Sequence, residues 1–304
     1  MTAYLVTILM LAAIAGLIGL GLNIQWGLCG LVNFGIAGVF AIGAYVTAIV
    51  GLKGGGPYLG MAVAVLASAG LSALLALLAV RLEDDYLAIV TLGFAEVVRL
   101  VSLNEGWLTG GALGLAGIPR PLENLATSVN YSYVLLAFTF AVLLLTFLTL
   151  EALTRSPFGR ALRALRDDDV VAATLGKQPL TLRVKAFAIG GAVIGLAGAL
   201  HAFYLTYIDP SQFSAIVTAY AFMAVIAGGR GSNVGLLAGA GSVMILLEGM
   251  RFVKDFLPFI NGVQLAALRL ALIGTGIIAL LIYRPQGLMQ EPHARSADLT
   301  GVDR

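Results

Sequence analysis

The chain has 304 residues, of which 60% are hydrophobic and 11% charged, with a mean hydropathy of +0.97. Soluble domains carry about a quarter charged residues, so this composition excludes an ordinary water-soluble fold. A formal net charge of +2 is too small for a nucleic-acid surface, and one cysteine, Cys29, rules out an internal disulfide.

In chain order, the first apolar stretch covers 3–22. Its Ala12-Ala13-Ile14-Ala15-Gly16 segment is similar to a leader cleavage site, but Met1 to Tyr4 supply no positive charge. It therefore reads as an uncleaved span with its N-terminus outside. Further stretches at 27–51, 59–80, 86–103, 131–152, 183–206, 214–228, 234–250 and 264–283 approach the ~20 apolar residues that a bilayer core requires. The expectation is an all-α polytopic helical membrane protein with about nine transmembrane helices (eight to ten) and a helical cytoplasmic loop, which the resemblance given below makes a cytoplasmic coupling helix. Residues 1–290 form a single membrane domain, and 291–304 a flexible cytoplasmic tail. The stretch 214–228 is short: tilted, re-entrant or joined to the next. The 38 glycines suit helices that approach closely in lipid. Gly27, Gly30, Gly35, Gly38 and Gly43 leave both close packing and a helix break open.

Asn23, Gln25, Asn33, Thr91 and Thr206 are uncharged polar groups in or near spans. They suit two roles. They could offer hydrogen bonds to a polar solute crossing the membrane, which makes Asn23, Gln25, Asn33 and Thr91 candidates for a substrate path. They could equally tie helices together, at about 1 kcal/mol or less per bond. Glu96 with Arg99 and Glu248 with Arg251 are i,i+3 pairs near the outer ends of two spans, fit for an outer vestibule, a contact with a partner, or a structural role. His201 on an apolar helix reads as packed, and no cluster of Cys, His and carboxylates marks a metal site. Segment 104–130, with Gly110, Gly111, Gly114, Gly117, Pro119 and Pro121, is a long connection expected to pack on the outer face.

Residues 155–185 hold seven of the eighteen Lys and Arg: Arg155, Arg160, Arg163, Arg166, Lys177, Arg183 and Lys185. Such crowding marks the loop 153–182 as cytoplasmic. Alternation then places 81–85, 228–233 and the tail inside, and 53–57 and 104–130 outside. Lys53, Arg120, Arg251 and Lys254 fall on the less favoured side. The loop has its own helix signals. Ser156-Pro157 starts one helix, in which Arg160, Arg163 and Arg166 recur every third residue. Asp167-Asp168-Asp169 caps a second, Gly176 closes it, and Gln178-Pro179 forbids continuation. Ala172, Ala173 and Gly176 would give this short helix a small face able to seat in a groove on another protein. A passive amphipathic loop on lipid headgroups is the alternative.

Asp169, Ala172, Ala173 and Gly176 are similar to the coupling motif of ABC importer permeases. Six further segments resemble the M-type permease subunit of branched-chain amino acid ABC importers. They are GLVNFGIAG at 30–38, YLAIVTLGFAE at 86–96, LTGGALGLAGIP at 108–119, SPFGRA at 156–161, GGRGS at 228–232 and RPQGL at 284–288. The resemblance runs from about residue 20 to 288. Asp169 stands where the motif more often has Glu, and the N-terminal region is brief.

The resemblance implies a non-enzymatic permease in the bacterial plasma (inner) membrane. Its partners would be a homologous second permease subunit, two cytoplasmic ATP-binding subunits and an extracytoplasmic substrate-binding protein. ATP would be used by those partners and no cofactor bound by this chain. Arg163, Arg166, Asp169, Ala172, Ala173 and Gly176 would couple to the ATPases. The sequence agrees in one independent respect, since it contains no G-x-x-x-x-G-K-[ST] phosphate loop. Urea, short amides and other amino acids are alternative cargoes of the same importer class. An ion-coupled secondary transporter or channel is the rival class, disfavoured by the scarcity of ionisable residues near the span centres.

Overall fold

The computed structural model describes residues 2–79, 84–123 and 130–256, with 268, 271, 274–276, 278, 282 and 287–289. Helix α1 (Thr2–Leu22) continues without interruption into a π-helical turn, Asn23–Leu28. Gly30, at φ 83°, then ends the helix, and residues 29–35 are irregular. The expected span 27–51 is therefore corrected: α2 begins only at Ile36 and runs to Val50. The apolar pattern is continuous across this break, which is why hydropathy alone joins the two parts.

A second π turn, Gly51–Gly55, follows α2, and Gly54 (φ 89°) and Gly56 (φ 75°) reverse the chain into α3 (Gly56–Ala79). α2 and α3 lie against each other, so closely that a Cβ at Gly60 would stand 2.8 Å from the Thr47 carbonyl. Then come α4 (Asp84–Asn104), the single turn α5 (Gly106–Thr109), a 3-10 turn at Gly111–Leu113 and strand β1 (Leu115–Ala116). α6 (Tyr131–Arg155) leads into α7 (Pro157–Asp167) and α8 (Asp169–Thr174). α9 (Pro179–Leu205) is followed by β2 (Tyr207–Ile208), a 3-10 turn at Pro210–Phe213, α10 (Ala215–Gly228) and α11 (Asn233–Phe256).

Among the described residues the fold is all-α apart from the antiparallel pair β1–β2, which the sequence did not announce. Among the described residues, five stretches are long and apolar enough to cross a membrane: Tyr4–Leu28, Ile36–Leu78, Asp85–Asn104, Tyr131–Arg155 and Pro179–Leu205, the second containing both α2 and α3. α10 has 14 residues, a length of only about 21 Å. Gly229 (φ 106°) and Gly231 (φ 81°) separate it from α11, so the two are packed neighbours and not one span. The expected ninth span, 264–283, lies largely outside the described residues, as does the tail 291–304.

α1 and α9 form the centre, while α4 and α6 lie outside and bury a minor part of their apolar stretch. Small residues set the spacing around α9. A Cβ at Gly190 would come within 2.6 Å of the Gly21 carbonyl, and one at Gly43 within 2.6 Å of the Gly195 Cα, so α1 and α2 approach α9 backbone to backbone. One end of the bundle gathers 110–123 and 206–214, joined by the β1–β2 pair and by Gly117 N–H donating to the Thr206 carbonyl at 3.1 Å. The opposite end gathers the break at 29–35, helices α7 and α8, and the turn at 229–232.

Candidate functional site

α7 starts as its sequence dictates. The Ser156 hydroxyl accepts from Gly159 N–H at 3.4 Å, and Pro157 occupies the first helical position, where no donor is needed. Leu162 and Leu165 are buried, which fixes the helix against the bundle. Its arginines then point at carbonyls left open by other elements. Arg160 and Arg163 donate to the Arg155 and Thr154 carbonyls at the end of α6, at 3.2 and 3.3 Å. Arg166 Nη1 donates to the Gly27 carbonyl in the π turn at 2.6 Å. Two of the expected coupling residues, Arg163 and Arg166, thus engage the chain's own membrane core.

Asp168 caps α8, accepting from the Val170 and Val171 N–H groups at 2.9 Å each. Asp169 pairs with Arg183 at the start of α9, 3.2 Å away. Gly176 (φ 77°) closes the helix, as its N–H donates to the Ala173 carbonyl at 3.0 Å and that of Lys177 to Ala172 at 3.1 Å. The expected small outward face needs correcting, because Ala172 is 1% exposed and is turned into the body of the protein. Ala173 and Gly176 are exposed, beside Val170, Val171 and Leu175 at 69%, 52% and 72%. The short helix therefore presents an apolar knob at the polar end of the bundle. Sequence reasoning missed these three because their exposure depends on which side of a two-turn helix meets α9.

Directly above α7 lies a buried polar cluster. Asn23 Nδ2 donates to Asn233 Oδ1 at 3.0 Å, and its Oδ1 accepts from Gly231 N–H at 2.9 Å. Asn233 Nδ2 in turn reaches Glu151 Oε2 at 3.0 Å and Thr154 Oγ1 at 3.3 Å. Gln25 Nε2 donates to the Phe187 carbonyl at 3.3 Å, and its Oε1 accepts from Asn33 Nδ2 at 2.8 Å. Asn33 Oδ1 accepts from Gly35 N–H at 2.7 Å, and Thr91 Oγ1 from Phe34 N–H at 3.0 Å. Thr218 Oγ1 accepts from Ala37 N–H and donates to the Phe34 carbonyl, both at 3.2 Å.

The four candidate path residues, Asn23, Gln25, Asn33 and Thr91, are fully buried. Gln25, Asn33 and Thr91 act together and Asn23 sits beside them. Asn33 and Thr91 satisfy backbone N–H groups of the broken segment, as irregular backbone at membrane depth demands, while Gln25 holds Asn33 in place and Asn23 binds the turn at 229–232. Thr218 and Asn233 complete the cluster and were not singled out from sequence. Asn233 directly follows the Gly-Gly-Arg-Gly-Ser segment, which was the available signal. Trp26, at the same end, lies under Arg230, whose Cζ is 4.4 Å from the ring centroid.

In the other half of the bundle, a largely apolar cavity of about 260 Å³ lies between α1, α2, α9, α10 and α11. Its polar members are His201 and Gln212, joined Nε2 to Oε1 at 3.2 Å, and Gln212 Nε2 donates to Asp209 Oδ2 at 2.9 Å. His201 is thus packed in the interior, as expected. Among the described residues no group of His, Cys, Asp and Glu could hold a metal ion.

The family described as branched-chain amino acid transport system / permease component matches residues 4–282. The chain is similar to the high-affinity branched-chain amino acid transport system permease protein LivM of Escherichia coli (strain K12), with 32% identity over 296 residues, 90% of this chain and 67% of the relative. It is 28% identical over 315 residues to the probable branched-chain amino acid transport permease protein LivM of Methanocaldococcus jannaschii, covering 90% of each. The autoinducer 2 import system permease protein LsrC of Yersinia pestis is 29% identical over 181 residues, 56% of this chain and 50% of the relative. No solved structure matches.

Proposed function

The chain belongs to the branched-chain amino acid transport permease family, and on that premise we propose how it works as the permease subunit of an ABC-type importer. It forms half of a translocation path for branched-chain amino acids in the bacterial plasma membrane. A homologous permease supplies the other half, two cytoplasmic subunits hydrolyse ATP, and a binding protein on the opposite side delivers the substrate. The end carrying α7 and α8 faces the cytoplasm, in keeping with its basic residues.

One observation carries this reading. α8 is fixed by its Asp168 cap and its Asp169–Arg183 pair, and it offers Val170, Val171 and Leu175 to solvent. Exposed apolar side chains on a fixed, capped helix suit a groove on a partner protein. A partner that shifts α8 also pulls on α9 through Arg183 and, through α7, on the π turn of α1. Movement produced by ATP turnover then reaches the polar cluster at the helix break, where a change of hydrogen-bond partners can open or close the path.

The test is reconstitution in liposomes with the second permease, the ATPases and the binding protein. Leucine, isoleucine or valine should accumulate only with ATP and all subunits present. Concentrative uptake by this chain alone on an ion gradient would overturn the proposal.

A further inference from the structure

α4 carries exposed charges well inside its apolar stretch. Among the described residues, Glu96 and Arg99 form an ion pair on its outward side, with side chains 49% and 28% exposed. Arg99 Nε lies 3.0 and 3.1 Å from the two Glu96 oxygens, so the guanidinium and carboxylate meet through several contacts. At 1.5 Å per residue Glu96 sits about 18 Å from the start of α4 at Asp84 and about 12 Å from its end at Asn104. That is inside a hydrocarbon layer about 30 Å thick, deeper than the outer end of the span where the sequence placed the pair.

Around the pair α4 exposes Ile89, Leu92, Val97 and Leu100, and the outer face of α6 is similarly apolar but carries no such pair in its middle. There Phe140, Leu144, Leu145 and Leu148 are exposed, a surface that lipid covers at no cost. An exposed ion pair on α4 would be expensive in the same surroundings, because both charges would lose water while neither is enclosed by protein. Gly93, one turn before Glu96, is exposed and has nothing within 4 Å of where a Cβ would stand, which leaves a notch for another helix or for water.

We propose that the Gly93–Glu96–Arg99 stripe of α4 is the wall of a water-filled path closed by the homologous second permease. This rests on the importer reading above. The ion pair presents an acceptor for an ammonium and a donor for a carboxylate side by side. A zwitterionic amino acid brings one charge of each sign, so it can exchange with the pair without stranding a net charge.

The experiment places single nitroxide labels at Gly93→Cys and, for comparison, at Leu145→Cys on α6, in a Cys29→Ala background, in the complete complex in liposomes. The label at 93 should collide with a water-soluble nickel chelate more than with oxygen, and should lose mobility when the second permease is present. The label at 145 should favour oxygen throughout. If the second permease fails to co-purify with the unlabelled chain, the importer reading falls and this proposal falls with it. If it co-purifies while position 93 favours oxygen, the importer reading stands and the assignment of α4 is overturned. In the same complex Glu96→Gln should raise the KM for uptake about tenfold with ATPase co-purification unchanged. Uptake with wild-type KM would overturn the part given to the ion pair.

Discussion

Arg166 and Gly27 are 139 residues apart in the chain, and Arg166 Nη1 donates to the Gly27 carbonyl at 2.6 Å. The bond joins the last turn of α7 to the π turn that ends α1. The fit is tight on both sides, since a Cβ at Gly30 would stand 3.0 Å from Arg166 Cγ. A guanidinium can satisfy a π-turn carbonyl that has lost its regular helical partner while remaining attached to the loop proposed above to meet the ATPase.

Arg166→Ala should therefore uncouple without dissociating. The ATPases should still co-purify, because α8 is untouched, while substrate-stimulated hydrolysis falls. Loss of a hydrogen bond from a charged donor should lower stability by about 1.5–3 kcal/mol. Arg166→Lys should recover part of the stimulation, as a point charge still reaches the carbonyl. Stimulated and basal hydrolysis, measured side by side with thermal unfolding, separate coupling from folding. Full stimulation in Arg166→Ala would remove this link from the transmission route.

The two alanines of α8 should behave differently. Ala173→Arg places bulk on the exposed side and should reduce ATPase co-purification with thermal stability unchanged. Ala172→Arg forces a charge into a buried position, so it should lower stability as well as docking. Gly176→Val imposes a β-branched residue at φ 77°, at a local cost of about 1–2 kcal/mol, and should loosen the helix end. Equal effects of the two arginine variants on thermal unfolding would contradict the burial of Ala172.

Much of this arrangement is legible in the sequence because it depends on local chemistry. The start at Ser156-Pro157, the cap within Asp167–Asp169 and the stop at Gly176 need only neighbouring residues, and each is in place. The long apolar runs give the spans for the same reason. The break at 29–35 is not legible. It depends on contacts from Thr91, Phe187 and Thr218, distant in sequence, to compensate an interrupted helix. The inward turn of Ala172 and of Arg166 is hidden likewise, since it follows from how the loop packs on α1 and α9. The family motifs that include Gly30–Gly38 and Gly228–Ser232 mark two parts of the chain that meet at one end of the bundle, but not the hydrogen bond between Asn23 and Gly231 that joins them.

Gln25 and Asn33 should prove interdependent. Gln25→Leu leaves Asn33 Nδ2 without a partner and removes the second hydrogen bond of the Phe187 carbonyl, which stays bonded within α9, and Asn33→Leu strands Gln25 Oε1 and Gly35 N–H. Each single change should destabilise by about 1–3 kcal/mol, and the double change by clearly less than the sum, because both remove the same bond. Unfolding in detergent followed by tryptophan fluorescence gives the four values of the cycle. Strict additivity would mean that the side chains do not act on one another.

The loop at the far end supplies a pH test. Asp209 caps the turn at Pro210–Phe213, accepting from Ser211 N–H at 2.8 Å and from Gln212 Nε2 at 2.9 Å. Burial by itself raises the Asp209 pKa, but the hydrogen bonds from Ser211 and Gln212 together outweigh it and hold the carboxyl below its usual value. A pKa lowered by folding contributes stability that is complete above the unfolded value of about 3.9 and is lost as pH falls through the folded value. Acidification should therefore loosen the turn and, through Gln212, release the hydrogen bond at His201 Nε2. Asp209→Asn should remove this acid-dependent part of the stability, flattening the fall in melting temperature as pH drops below about 4 relative to wild type. The amide can still accept from Ser211 N–H, so the variant should fold at neutral pH. A wild-type acid profile in Asp209→Asn would show that the carboxylate is not what holds the turn.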